Sequence, residues 1–381
     1  MALNHDTRDA QARDGRTVTV LGLESSCDDS AAAIVRRHGD GSVEILADAV
    51  IGQNSEHAPF GGVVPEIAAR AHAERMDTLA AGVLAEAGLT LADMDAIAAT
   101  SGPGLIGGVM AALMTAKGLA LGADKPLIAV NHLEGHALSA RLTHTVEFPY
   151  LLLLVSGGHT QLVRVDGVGE MTRMGSTIDD AAGEAFDKTA KVMGLGFPGG
   201  PAVEALARTS TDPERFALPR MLSRDRSRDF SFAGLKTAAK RAFDSLEAPT
   251  QADKADLAAG VQREIARHLA ERAGRAMDIF ADSAGENAKG LTLVVAGGVA
   301  ANGAVRDALE LMAGSKGFTL IAPPLKYCTD NAAMIALAGA ERFVLGRIDG
   351  LDAPARARWP LDETSAAANP ASGAGRKGPK A

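Results

Sequence analysis

An α/β protein built from two similar halves is what the order of elements in this chain predicts, and three observations carry the prediction. A strand, a polar turn and a second strand occur at 17–37 and again at 150–165. Each block is followed by strands alternating with helical periodicity, the pattern of an internally repeated α/β unit. Glycine pairs, Gly157-Gly158 and Gly297-Gly298, follow apolar strands. There the backbone N–H groups can approach a phosphate or sugar with no side chain in the way, and as tight turns they would look the same. At 381 residues, 46% hydrophobic and 23% charged, the chain has room for two cored lobes with a cleft between them.

In order, 17–23 reads as a buried strand, and 31–37 with 42–51 as a hairpin turning at Gly39-Asp40-Gly41. Pro65 opens an amphipathic helix that Gly88 stops. A strand at 95–100 leads through the glycine-rich loop 101–108 into a helix ending near Leu121, and the strand 126–130 runs into a helix bearing histidines. The second half gives strands at 150–155, 161–165 and 171–174 and helices at 180–193, 200–207, 233–245 and 252–282. A strand at 291–295, the loop 296–302, a further helix, a strand at 318–321 and a last helix from about Asn331 to Leu345 complete it. The tails, 1–16 and 361–381, are expected to be disordered, the latter being rich in Ala, Ser, Gly and Lys without periodicity.

Composition excludes several classes. No apolar run of spanning length stands out, so no membrane helix is expected, and the first sixteen residues carry Asp6, Asp9 and Asp14 without an apolar block. A cytoplasmic location is the expectation. Two cysteines, Cys27 and Cys328, make no disulfide framework, and each reads as a small, unreactive residue. The net charge of −8 disfavours nucleic acid, yet the stretch Arg208 to Arg241 holds nine basic residues against four acidic ones. On charge alone that run reads as a solvated face.

The segment Asn131-His132-Leu133-Glu134-Gly135-His136 invites a metal reading. Residues four apart share a helix face, so His132 and His136 can grip one ion, although a hydrogen-bonded pair would look the same. A zinc peptidase needs its Glu directly after the first His; Glu134 lies about 200° round the helix from His132 and points away.

The motifs SSCDDS, SGPG, NHLEGH, LVSGGHTQL, IDDAAGEAFDKTAKVMGLGFPGGP, DFSFAGLKT, VVAGGVAAN and CTDNAAMIA follow one another in this order. From about Thr17 to Leu345 the chain resembles the catalytic subunits of the tRNA threonylcarbamoyladenosine synthases, formerly described as O-sialoglycoprotein endopeptidases. The resemblance implies the duplicated actin-like ATPase fold, shared with sugar kinases and chaperone ATPases. One lobe would span 17–131 with the returning helix 331–347, and the other 132–330. It implies transfer of threonylcarbamoyl from its adenylate to the exocyclic amine of the adenosine 3′ of the anticodon, in tRNAs reading codons that start with A.

By the same resemblance His132, His136 and Asp330 would hold one divalent metal, iron(II) ahead of zinc, and two imidazoles with one carboxylate suit either. Leu154, Val155, Ser156, Gly157, Gly158, Asp187, Gly200 and Asn302 would hold the adenylate; Asp187 on its own would read as a helix pair with Lys191. Asp28 is the candidate for positioning the amine or taking its proton, beside a reading as a turn-shaping residue. The basic run becomes a candidate tRNA contact, and a paralogous non-catalytic subunit, docking on the helix 65–87 and its neighbour, and a regulatory ATPase would be partners. Relatives commonly carry Glu where Asp29 stands and Pro-Arg-Pro-Met where this chain has Pro219-Arg220-Met221. The alternatives are a small-molecule kinase on the same fold, which has no use for two histidines and an Asp, a non-catalytic ATP-dependent module, and a metallopeptidase.

Overall fold

The computed structural model describes residues 15–60, 62–284 and 290–362, so all but two residues of each expected disordered tail lie outside the described residues. The first part of the chain forms β1 (Val18–Glu24), β2 (Ser30–Arg37), β3 (Val43–Ile51), α1 (Pro65–Ala87), β4 (Ala96–Gly102), α2 (Ile106–Ala123), β5 (Leu127–Asn131) and α3 (His132–Leu138). Then come β6 (Tyr150–Val155), β7 (Thr160–Gly167), β8 (Glu170–Ser176), α4 (Ala182–Val192), α5 (Gly199–Ala207), α6 (Ala233–Asp244) and α7 (Gln251–Ala284). The strand β9 (Leu291–Ala296), α8 (Gly303–Ser315), β10 (Phe318–Ile321) and α9 (Ala332–Val344) follow.

Packing separates two units, one ending at Val146 and regaining the chain at Pro323–Leu361, the other beginning at Glu147 and running to Ala322. The sequence reading divides the chain at 131/132 and 330/331 instead. The histidine helix α3 goes with the first unit because it packs on α9, where a Cβ on Gly135 would lie 2.8 Å from the Ile335 side chain.

Each unit carries a five-stranded sheet, and the two sheets share one plan. In the first the order is β3-β2-β1-β4-β5; in the second, read in the same sense, it is β8-β7-β6-β9-β10. Three antiparallel strands come first, and two further strands join in parallel. The repeat inferred from two strand-turn-strand blocks is thus a repeat of whole sheets, and the fold is the duplicated actin-like one.

In the first unit β1 is buried along its whole length. Its Gly22 lets α9 lie against the sheet: a Cβ there would stand 2.5 Å from the Ala336 amide nitrogen, and one on Gly339 would stand 2.5 Å from Ala98 Cβ. On the other face Met76, Leu79 and Val83 of α1 and Val109, Leu113 and Ala116 of α2 are buried, the first three and the last two packing with Leu21, Leu23 and Ile97. Each large side chain so buried contributes about 1.5–3 kcal/mol. Pro65 at the first turn and Gly88, at φ 65° past the last, bound α1 where the sequence places them. Helix α2 has a mean hydropathy of 1.5 over 18 residues, enough by length and composition to cross a membrane, contrary to the sequence expectation. Much of that hydropathy comes from Ala, Leu and Met on a helix whose inner face lies on the sheet of a cored unit, while Ile106, Met110, Met114 and Leu121 are exposed.

Candidate metal centre and active site

The strand β5 ends at Asn131, whose side chain accepts the Leu133 N–H at 2.9 Å and starts α3. That cap places His132 in the first turn and His136 one turn on, both buried. Asp330 arrives from the turn before α9, where Asn331 caps the helix by accepting the Met334 N–H at 2.9 Å. One carboxylate oxygen, Asp330 Oδ1, lies 3.0 Å from His136 Nε2 and 3.4 Å from His132 Nε2. The rings stand nearly perpendicular with centroids 4.7 Å apart. All three residues belong to the first unit, and their donor atoms lie within 4.8 Å of one another.

This set fits a divalent metal. Two imidazoles and one carboxylate on a single focus are the donors of many iron and zinc sites. The arrangement is also electrostatically loaded. Burial works against the imidazolium of His132, but Glu24 and Asp330 outweigh it and push its pKa well above the usual value. Burial likewise works against the Asp330 carboxylate, and His132 and His136 overcome it and hold its pKa well below the usual range. Glu134 points away as its helical position requires, and its Oε2 accepts from Arg342 Nη1 at 2.9 Å. With that carboxylate committed to α9, the peptidase reading loses its base.

Sequence reasoning treated Glu24 only as the start of a polar turn. Its side chain is fully buried and reaches His132 Nδ1 at 3.0 Å. The one signal was a carboxylate closing an otherwise apolar strand. Asp28 and Asp29 follow in the same turn, half-buried. Burial first, then Asp330, Asp28 and Glu24, raise the Asp29 pKa to about 7. The turn is anchored from α1, where His72 Nε2 lies 3.1 Å from the Cys27 carbonyl and Nδ1 lies 2.8 Å from Ser30 Oγ. Burial and then Asp28 push the Cys27 pKa well above the normal value.

The expected adenylate residues all belong to the second unit. Leu154 and Val155 are buried at the end of β6, and Ser156, Gly157 and Gly158 form the turn beyond it with both glycines exposed. The start of α4 adjoins this turn, since the Gly183 N–H donates to the Ser156 carbonyl at 3.2 Å. Asp187, further along α4, accepts the Gly199 N–H at 2.8 Å, which holds the start of α5 and sets Gly200 beside it. Asn302 caps α8 through its Oδ1 and donates its amide to Gln262 Oε1 at 2.9 Å. Glu204 of α5 closes the ring by accepting the Gly303 N–H at 3.1 Å. These contacts bring the turn, Asp187, Gly200 and Asn302 into adjoining segments, and they give Asp187 and Asn302 structural work of their own.

The basic run sorts into unlike members. Arg208, Arg215 and Lys240 are in ion pairs, and Arg228 donates Nε to the Met174 carbonyl at 2.6 Å. Arg220, Arg224 and Arg226 are exposed. Their loop is held from below by the buried Arg272, which donates to the carbonyls of Leu222, Asp225 and Ser227.

Comparison with known proteins gives the chain a family. A protein of Maricaulis maris described as tRNA N6-adenosine threonylcarbamoyltransferase is 69% identical over 366 residues, covering 96% of this chain and 97% of the relative. One of Caulobacter vibrioides with the same description is 59% identical over 362 residues, covering 95% and 97%. Among solved structures, that of HypF from T. kodakarensis superposes with a TM-score of 0.50 at 12% identity, covering 87% of this chain and 48% of that one, a likeness of fold alone. The profile of the family TsaD, tRNA N6-adenosine threonylcarbamoyltransferase, matches residues 44–337, and the chain belongs to that family.

Proposed function

We propose that the protein transfers threonylcarbamoyl from threonylcarbamoyl-adenylate to N6 of the adenosine 3′ of the anticodon, in tRNAs reading codons that begin with A, releasing AMP. The observation that carries the reading is the focus of His132, His136 and Asp330 within a chain of this family. Those three residues hold one divalent ion, iron(II) ahead of zinc. When bound, such an ion supplies Lewis acidity for oxygens that gain charge as the group transfers.

The chain's own residues do the rest. The exposed Gly157-Gly158 turn offers backbone N–H groups to the adenylate phosphate, and Asp187, Gly200 and Asn302 line the nucleoside. The N6–carbon bond forms as the bond from the carbamoyl carbon to the phosphate oxygen breaks. AMP leaves with that electron pair, and Asp28 orients the amine and takes the proton it sheds. Arg220, Arg224 and Arg226 contact the tRNA backbone, where such contacts position the substrate. The exposed Ile106, Met110, Met114 and Leu121 of α2, next to α1, form the docking face for a paralogous non-catalytic subunit. A regulatory ATPase completes the assembly, which works in the cytoplasm.

The test combines purified protein, partner subunits, adenylate and tRNA, and follows labelled threonine into tRNA alongside metal content. His136→Ala and Asp330→Ala should lose both metal and transfer. Full transfer by a metal-free variant would remove the ion from the reaction.

A further inference from the structure

Glu24 is the least exposed carboxylate near the candidate metal centre, with no accessible surface. A buried carboxylate is costly unless every lone pair that matters is met by a donor. Here the donors come from three directions. The Ser26 N–H reaches Oε1 at 2.5 Å, Thr100 Oγ1–H donates to Oε2, and His132 Nδ1 lies 3.0 Å from the same Oε2. Ser26 Oγ also stands 3.0 Å from His132 Nδ1. The carboxylate is therefore fixed by β1, by β4 and by its own turn before it meets the imidazole. It is an acceptor only, so its contact with the ring requires the proton on Nδ1 and makes Nε2, the nitrogen facing Asp330 Oδ1, the one that a metal would take in exchange for its proton.

We propose that Glu24 is a positioning residue for the metal centre: it fixes the tautomer and orientation of His132 and thereby prepares Nε2 as a ligand. His136 has no equivalent, since its Nδ1 is buried without a hydrogen-bond partner among the described residues. The two histidines thus differ in kind. His132 is held at Nδ1 by a carboxylate that strengthens it as a donor, whereas His136 meets Asp330 through Nε2 and has only packing around its Nδ1. This inference rests on the metal reading above.

Glu24→Gln separates the two ideas because it keeps the shape and removes one acceptor. If its single amide oxygen faces His132 Nδ1–H, its NH2 is set against the Ser26 N–H. Turned round, its NH2 meets Nδ1, and the ring must move its proton to Nε2, where no metal can bind. The probe is zinc alone, titrated into metal-free full-length protein against a chromophoric chelator, with thermal unfolding as the fold control. Wild type should take one equivalent, His136→Ala should lose it, and Glu24→Gln should bind roughly 10–100-fold more weakly with the fold intact.

Equal zinc affinity in wild type and Glu24→Gln, with His136→Ala inactive in binding, overturns the role of Glu24 and leaves the metal reading standing. Failure of wild type to bind zinc or iron(II) overturns both. Should Glu24→Gln not fold, nitrogen NMR of zinc-loaded wild type decides: a proton on Nδ1 of His132 supports the proposal and a proton on Nε2 overturns it.

Discussion

Two glycines beside the expected adenylate turn should respond to the same substitution in opposite ways. Gly297 follows β9 at φ 96° and ψ 159°, a region that side chains rarely adopt, and a Cβ there would lie 2.3 Å from the Val155 carbonyl oxygen and 3.1 Å from the Ser156 nitrogen. Gly297→Ala therefore incurs backbone strain of about 1–3 kcal/mol and crowding of about 1–3 kcal/mol. The lower sum, about 2 kcal/mol, lowers Tm by roughly 4–8 °C for a unit of this size. Gly158 is exposed, and a Cβ on it would have nothing within 4 Å. Gly158→Ala should leave stability unchanged or raise it by up to about 1 kcal/mol through the unfolded chain. If backbone N–H groups at this turn meet the adenylate, the added methyl blocks their approach, and affinity should fall at least about tenfold, or about 1.4 kcal/mol. The assays are thermal unfolding and calorimetric titration with a non-hydrolysable adenylate analogue. Wild-type affinity in Gly158→Ala would refute the assignment of the turn to the ligand, and an unchanged Tm in Gly297→Ala would refute the clash.

Three further outcomes are expected. Glu341 of α9 is buried and accepts from Arg37 Nε at 3.2 Å and Arg141 Nη2 at 2.9 Å, so Glu341→Ala, which removes the carboxylate that the two guanidinium groups share, should cost about 3–5 kcal/mol in urea unfolding. His268 is buried against Phe230 and Phe232, and burial first, then Arg272, Arg267 and Arg275, lower its pKa to about 3. Between pH 3 and 6.5 the unfolded chain binds the proton that the folded one refuses, so stability falls as pH falls. The difference between wild type and His268→Leu should shift by about 2 kcal/mol from pH 6.5 to 5, and a flat difference would contradict it. Reversing charge at Arg224 and Arg226 should weaken tRNA binding and reduce the slope of log affinity against log salt by about 1.4–1.8. Arg228 is left out of that variant because its Nε holds the Met174 carbonyl.

How much of this was legible in the sequence depends on how local its cause is. Helix α1 could be bounded to the residue because a proline at its start and a glycine past its end act on their own segment. The strands of both sheets were found because burial and polar turns mark them along the chain. The division by packing differs from the one read along the chain because it follows where α3 packs, and the contact of Gly135 with Met334 and Ile335 lies two hundred residues away along the chain. The basic run shows the same limit: charge counts arginines alike, but only coordinates distinguish Arg224 at the surface from Arg228 on a carbonyl.

The expected metal ligands illustrate the limit most sharply. Spacing alone pairs His132 with His136, but nothing local attaches Asp330 to them, and only the family resemblance supplied it. Glu24 had neither advantage. It is a single carboxylate at the end of an apolar strand, and its meaning comes from Thr100 on a neighbouring strand and His132 on a helix more than a hundred positions away. Strand β1 brings these together because β4 lies parallel beside it and β5, next in the sheet, leads directly into α3. Strand order thus determines which imidazole nitrogen faces Glu24, and a change that shifted β1 against β4 by one residue would take that carboxylate from His132 without touching His132, His136 or Asp330.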